Sequence, residues 1–367
     1  MDKIIYSGFY GFKNSGDDAF LEVCAWGSKV ILNSNKTYFL GSDLPILQNE
    51  SKSLTKSKFK GHDRLQGFIN LLDANYFISA GGSTFSGHKS YSFKGIAEIV
   101  KKKFNKQLKT GAIGVSIGPF SSLADEKNVA EYLKRLNFLI VRDRRSYNFI
   151  SSLNLPYKPI EAFDLAALLP EVYKGQPILP KIQDKKIIGV SLCKFESVSN
   201  IANISNENRR NDEIKKIILD LNNTNESVVF RFFIFNGHPV IGDREVTLNF
   251  ISKLELYNYE IIEYQNSVKK TWDYIGQCDF MIATRLHAAI FSAYNKVPFI
   301  LIEYHQKCTD FLIDIGQDNS FLVGDAYFDY QKISYNISQV LNGINSFSLK
   351  NLERTINMAH KNFLFNE

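Results

Sequence analysis

The densest chemistry in this sequence lies in Ile282-Ala283-Thr284-Arg285-Leu286-His287-Ala288-Ala289, where an apolar β-like run enters an apolar helix. A guanidinium offers a planar fork to carboxylate or phosphate, and an imidazole carries a proton near neutral pH. Thr284 is placed to cap the helix, whose first amides, from Arg285 to His287, form a natural anion site. One β-run later, Glu303-Tyr304-His305-Gln306-Lys307 sets further ionisable groups at a strand end, among them Glu303 and Lys307. Arg, His and Lys gathered at strand ends predict a cleft for a small multi-anionic substrate, with His287 as the proton carrier.

Other strand ends carry weaker signals. The loop Gly8-Phe9-Tyr10-Gly11-Phe12-Lys13-Asn14-Ser15-Gly16-Asp17-Asp18 has three glycines that permit close backbone approach. Its spacing is not G-x-G-x-x-G, so the dinucleotide fingerprint is absent, and Asp17 or Asp18 reads equally well as a helix N-cap. The loop Gly81-Gly82-Ser83-Thr84-Phe85-Ser86-Gly87-His88-Lys89-Ser90 nearly spells a phosphate-binding P-loop, but His88 stands where the lysine belongs. That excludes nucleotide hydrolysis and leaves a glycine-rich cradle for an anion or a sugar. Arg142, directly after an apolar run, would either meet an anion or pair with Asp143 at the start of the next helix. Arg231, Asn236, Gly237 and His238 are candidates for a cleft wall.

These residues need a scaffold, and the hydrophobic pattern supplies one. Strand-like runs at Ile4–Gly8, Lys36–Leu40, Tyr76–Ala80, Ala112–Ile117 and Phe138–Val141 alternate with helical segments. The pattern lapses between Asp164 and Lys186, then resumes at Ile187–Leu192, Val228–Phe235, Glu260–Tyr264, Phe280–Ala283 and Pro298–Ile302. Continuous apolar strands between helices indicate parallel sheets covered on both faces. The expected fold class is α/β, with two Rossmann-like domains facing a cleft. The expected domains are residues 1–175, residues 176–345 and a C-terminal helix at 346–367 packing back on the first domain. The Asn-rich stretch Asn200–Asn211 reads as a loop. In doubly wound sheets ligands bind beyond the carboxyl ends of the strands, where the candidate residues lie.

Composition narrows the function classes. The chain has 367 residues, 44% hydrophobic and 22% charged, which is ordinary globular usage. Its 44 Lys and Arg exceed 38 Asp and Glu by the formal +6, too small an excess to indicate nucleic acid. It would suit an anionic ligand or peripheral contact with the inner membrane face. The four cysteines are scattered, and no H-E-x-x-H, D-x-D or cysteine cluster predicts a metal. No signal peptide or membrane-length apolar run is present, so a cytoplasmic protein is expected.

Together these landmarks resemble the polysaccharide pyruvyltransferase family. The resemblance rests on Gly11 followed by Asn14-Ser15-Gly16-Asp17-Asp18, on Gly81-Gly82-Ser83, on Gly114 with Ile117-Gly118-Pro119, and on Val141-Arg142-Asp143 with Ser146. It is completed by Arg285-Leu286-His287 and by Val297-Pro298, Tyr304 and Lys307. It implies a GT-B-like fold, phosphoenolpyruvate as donor and a sugar or lipid-linked oligosaccharide as acceptor, with a cyclic pyruvate ketal as product. No separate cofactor is implied. Arg285, Leu286 and His287 would bind and activate phosphoenolpyruvate on the side of the second domain, helped by Arg142. Asn14, Gly16 and Asp17 would line the cleft from the first, acceptor-side domain, with Asp17 as base. Gly81, Gly82, Ser83, Gly118, Glu303 and Lys307 would contact substrate; His88, by extrapolation beyond the resemblance, would contact the acceptor sugar, the alternative being an exposed loop histidine. The family's third-strand loop carries a glycine triplet, whereas Ser79-Ala80-Gly81-Gly82 has only two glycines.

Two rival readings remain open at this level. A GT-B glycosyltransferase using a nucleotide sugar would hold its donor with two glutamates eight positions apart. Glu255 and Glu263 have that spacing but read as solvated surface residues. A catalytically silent sugar- or anion-binding protein would have no use for an imidazole beside two guanidinium groups.

Overall fold

The computed structural model describes residues 2–54, 62–85, 92–199, 204–224, 227–256, 258–325 and 328–365. The chain divides into two compact units. One holds the residues up to Phe12, Asp17–Val172 and those from Glu353 onward; the other holds Lys13–Gly16 and Tyr173–Leu352.

The first unit is built on a parallel sheet of seven strands: β1 (Lys3–Ser7), β2 (Lys36–Leu40), β3 (Lys52–Ser53), β4 (Tyr76–Ala80), β5 (Lys109–Val115), β6 (Phe138–Val141) and β7 (Ile160–Glu161). Their spatial order is β3-β2-β1-β4-β5-β6-β7. The second unit has six parallel strands: β8 (Lys186–Ser191), β9 (Val228–Phe233), β10 (Tyr259–Ile262), β11 (Phe280–Ala283), β12 (Phe299–Glu303) and β13 (Leu322–Gly324), in the order β10-β9-β8-β11-β12-β13. Every residue of β4, β6 and β11 is buried, as central strands covered on both faces require. In each sheet the strand order reverses once, between β1 and β4 and between β8 and β11. The loops leaving those four strands therefore mark each unit's switch point, where a ligand is best accommodated.

The α/β class and both parallel sheets agree with the sequence pattern. The short strands β3, β7 and β13 were not visible in that pattern, because two or three residues at a sheet edge carry no hydrophobic period. The expected loop over Asn200–Asn211 is overturned from Ile204 onward, where a helix runs to Thr224. Its buried face carries Ile214, Ile217, Ile218 and Leu221, and Arg210 pairs with Glu196 and Asp325 at 2.6 Å each. Tertiary burial and ion pairing override the weak helix propensity of asparagine. The C-terminal part of the chain forms the helices Tyr330–Leu341, in the second unit, and Leu352–His360, nearly all of it in the first. No helix among the described residues is long and apolar enough to cross a membrane.

One buried acid in the first unit has a measurable consequence. Glu22 is fully buried on the helix Ser15–Val30, and its Oε1 accepts the Gln48 amide at 2.9 Å. Burial pushes its carboxyl up from 4.5 to about 7, with the Gln48 amide opposing weakly. The folded state thus favours the protonated acid, and stability falls as pH rises from 4.5 through about 7. Glu22→Gln should be the more stable protein at about pH 8, by roughly 3 kcal/mol, and nearly equal to the parent at about pH 4. Urea midpoints across that range check this; parallel pH profiles for the two proteins would refute it.

Candidate active site

Within the second unit the site is assembled around the end of β11. The Thr284 amide and hydroxyl both donate to the Ser191 carbonyl, at 3.0 and 2.9 Å. Thr284 therefore joins β11 to β8 instead of capping the next helix, which corrects the sequence expectation. Arg285 occupies the N-cap position of the helix Leu286–Tyr294 and makes no side-chain cap bond there. Its guanidinium goes to Asp243: Nε lies 3.1 Å from both carboxylate oxygens, and Nη2 also donates to Oδ1. Burial opposes charge on both partners. Asp243 more than offsets this for Arg285, whose charged form is favoured. The Asp243 carboxyl stays above its ordinary range, because burial outweighs Arg285 and the Asn236 amide.

Asp243 is in turn fixed by the turn that follows β9. The Asn236 amide donates to Asp243 Oδ2 at 2.9 Å, and the Asp243 amide donates back to the Asn236 carbonyl at 2.8 Å. Asn236 Oδ1 accepts the His238 amide at 3.0 Å, while His238 Nδ1 accepts the amides of Val240 and Ile241 at 3.1 and 3.2 Å. His238 and Asn236 thus shape this loop. Arg231 does not join any site wall: it is buried inside β9, bonded to Glu260, the Tyr274 carbonyl and Gln277.

The segment Lys13–Gly16 belongs to this unit. The Gly237 amide donates to the Lys13 carbonyl at 2.8 Å, the Ser15 amide to the Phe235 carbonyl at 3.0 Å, and Asn14 bridges Asn236. Asn14 Oδ1 accepts the Gly16 amide at 3.1 Å where the helix Ser15–Val30 begins. Asp17 and Asp18 therefore lie in its first turn and are not its cap. A Cβ on Gly16 would stand 2.3 Å from His287 Nδ1, so only glycine lets this backbone lie against the imidazole. Asn14, Gly16, Arg285, Leu286 and His287, scattered in sequence, are thus brought together.

Next to them, Tyr304 lies edge-on to Phe195 at 4.9 Å, with the Arg210 guanidinium 5.0 Å from its ring centre. Burial, above all, raises the Cys193 thiol and the Tyr304 phenol, which are hydrogen-bonded to each other, so both stay neutral. Glu303 ends β12 half-buried, in register with Gly324. The Lys307 amide donates to His305 Nδ1 at 3.1 Å, which makes His305 the N-cap of the helix Gln306–Ile315.

In the first unit, Gly81 and Gly82 follow β4 with φ of +72° and +71°, two successive left-handed positions that favour glycine. Ser83 follows them half-buried, and the Asp17 carboxylate faces Gly82, 3.6 Å from where a Cβ would stand. Lys94 donates to the Thr84 carbonyl at 3.0 Å and sits 3.8 Å above the Phe85 ring; burial pulls its ammonium down to about 7. Arg142 is buried, with Nη1 on Asp164 at 2.5 Å and Nε on Ser116 at 2.8 Å. Its carboxylate partner is Asp164 and not Asp143, which instead caps the helix Arg144–Ser151 through the Ser146 amide. The Gly118 amide donates to the Phe85 carbonyl at 3.1 Å. His88 lies outside the described residues.

Sequence reasoning missed Asp243 and Asp164. Asp243 follows a glycine and opens a helix, so it looks like an N-cap, yet it makes no cap bond. Only its burial against Arg285, 42 positions away, reveals its task. Glu255 and Glu263 are exposed, and Glu263 pairs with Arg244 at 2.9 Å.

A family model for polysaccharide pyruvyl transferase matches residues 13–306. Comparison with curated protein sequences returns no match. Among solved structures, UDP-GlcNAc 2-epimerase from Methanocaldococcus jannaschii aligns over 98% of this chain and 100% of its own, with TM-score 0.60 and 14% identity. The UDP-forming trehalose-phosphate synthase from Burkholderia vietnamiensis aligns over 100% and 95%, with TM-score 0.55 and 10% identity. At such identities these likenesses establish the GT-B fold and nothing about substrate.

The contact between Gly16 and His287 is testable. Gly16→Ala should lower stability by about 1–3 kcal/mol through overpacking, and most of that cost should vanish in a His287→Ala background. Denaturant midpoints of the parent, both single variants and the double variant complete the cycle; strictly additive effects would refute the contact.

Proposed function

The chain belongs to the polysaccharide pyruvyl transferase family, and from that premise we propose that it forms a cyclic pyruvate ketal on a sugar. The donor is phosphoenolpyruvate. The acceptor is a pair of hydroxyls on a surface polysaccharide or its lipid-linked precursor, and phosphate is released. The observation that carries this reading is Arg285, held by Asp243 at the β11 end, with His287 one residue beyond Leu286 and packed on Gly16.

The chemistry follows from these groups. Phosphoenolpyruvate presents a carboxylate and a phosphate, and Arg285 with the amide end of the helix Leu286–Tyr294 suits either anion. Protonation of its methylene carbon by His287 leaves C2 electrophilic. A sugar hydroxyl adds to C2 as a base takes its proton. The second hydroxyl then closes the ring as the C2–O bond to phosphate breaks, and its proton leaves with the phosphate. The base then releases its proton to solvent and His287 takes one up, so both groups return to their starting states and the protons balance. We assign the base role to Asp17, one peptide bond and about 3.8 Å beyond Gly16 at the Cα atoms.

Thermal unfolding with phosphoenolpyruvate, beside a panel of nucleotide sugars, tests the donor. At about a hundred times its dissociation constant phosphoenolpyruvate should add roughly 2.7 kcal/mol. Arg285→Ala should lose that increment, read against its own lowered baseline because Asp243 is left without its cation. Arg285→Lys should retain part of it. Stabilisation by a nucleotide sugar and not by phosphoenolpyruvate would overturn the reading in favour of a glycosyltransferase.

For the base, Asp17→Asn should retain the phosphoenolpyruvate shift and lose about 10²-fold or more in phosphate release with acceptor. Near-normal turnover would remove Asp17 from that role.

A further inference from the structure

Two neighbouring helices of the first unit carry a surface that the proposed chemistry does not use. They are His62–Leu71 and Ser92–Lys103, packed side by side: Gly67 lies against the Phe93 ring, and Phe68 meets Phe104 edge-on at 5.5 Å. On the first helix Leu65 and Ile69, continued by Leu72, recur at helical spacing, yet they are 49%, 53% and 40% exposed. On the second, Ile99 is 51% exposed and Phe104, at the seam, 59%. An exposed apolar stripe on this scale marks a contact surface.

The unpaired charges around the stripe are mainly basic. Arg64, Lys102, Lys103 and Lys106 are exposed and have no ion-pair partner among the described residues. Lys101 of the same cluster turns away and donates to Thr110 and Asn137. The acidic neighbours are largely used elsewhere: Asp73 holds Lys3 at 2.6 Å and Glu98 holds Arg135 at 2.7 Å, leaving Asp63. Lysines at a helix C-terminus favour the helix dipole whatever else they do. The dipole does not account for the exposed leucine and isoleucine on the adjoining helix. A second copy of the same face would bring the lysines against one another. Apolar side chains flanked by unpaired lysines match the acyl boundary and headgroups of an anionic bilayer.

We propose that the face formed by Leu65, Ile69, Leu72, Ile99, Phe104 and the lysines at 102, 103 and 106 binds the surface of an anionic membrane. The apolar residues enter the headgroup boundary and the lysines meet lipid phosphates. Membrane binding itself is independent of the donor assignment. Its use, to bring a lipid-borne sugar to the enzyme, rests on the ketal-forming reading above.

Co-sedimentation of the full chain with vesicles of phosphatidylcholine, with and without phosphatidylglycerol, is the test. Binding should rise about tenfold or more with the anionic lipid and fall as salt is raised. The triple variant Lys102→Glu, Lys103→Glu, Lys106→Glu should lose that binding, and Leu65→Ser with Ile69→Ser should weaken it. Each variant's thermal shift with phosphoenolpyruvate should match the parent's, which separates failure of this proposal from failure of the donor assignment. Equal binding to both vesicles, no binding to either, or undiminished binding by the charge-reversed protein would overturn it. So would a dimer in sedimentation velocity that Leu65→Ser with Ile69→Ser dissolves, since that assigns the face to a second copy of the chain.

Discussion

A guanidinium held against a fully buried carboxylate organises the second unit's functional end. Asp243 alone would be an expensive charge to bury, and Arg285 alone would swing as a flexible cation. Paired, they fix each other, and the pairing binds three stretches of chain. Asp243 bonds reciprocally with Asn236, so the turn after β9 is closed; Asn236 bridges Asn14, so the Lys13–Gly16 segment is registered on it; and Gly16 lies against His287. Each link is a short hydrogen bond or a close packing contact in a buried setting, where an unsatisfied group is costly. An arginine oriented this way meets an anion with little further loss of freedom.

Arg142 shows how the same residue type at an equivalent strand end takes a different setting. It too follows a parallel strand, but Ser116 and Asp164 take its Nε and Nη1, and its side chain is only 8% exposed. That arrangement ties β6 to the segments after β5 and β7. Arg285, by contrast, keeps 22% of its side chain exposed while Asp243 retains it. The difference lies in the partners that three-dimensional proximity brings to each arginine, not in the local sequence.

The glycines near the site have distinct physical reasons. Gly81 and Gly82 are needed for two successive left-handed backbone conformations after β4. Gly16 has no such requirement; it is needed because an imidazole occupies the space of its side chain. A glycine in a loop announces only that something is close or strained there. Distinguishing the two causes takes coordinates.

The hydrophobic period by itself determined the α/β class and the two parallel sheets, because buried parallel strands must be apolar on both faces and their helices on one. The strand-end rule then pointed to Arg285 and His287, since residue type and position along a strand are both local properties, while Leu286, Asn14 and Gly16 followed from the family resemblance. Tertiary structure decided what those properties do not contain. Asp243 resembles a helix cap and is an ion-pair partner; Thr284 resembles a cap and ties β11 to β8; Asn206 and Asn211 read as loop and lie in a helix stabilised by a buried arginine. The edge strands β3, β7 and β13 are too short to have a period. In each case the deciding energy is a contact between residues far apart in the chain, and sequence pattern records only the near ones.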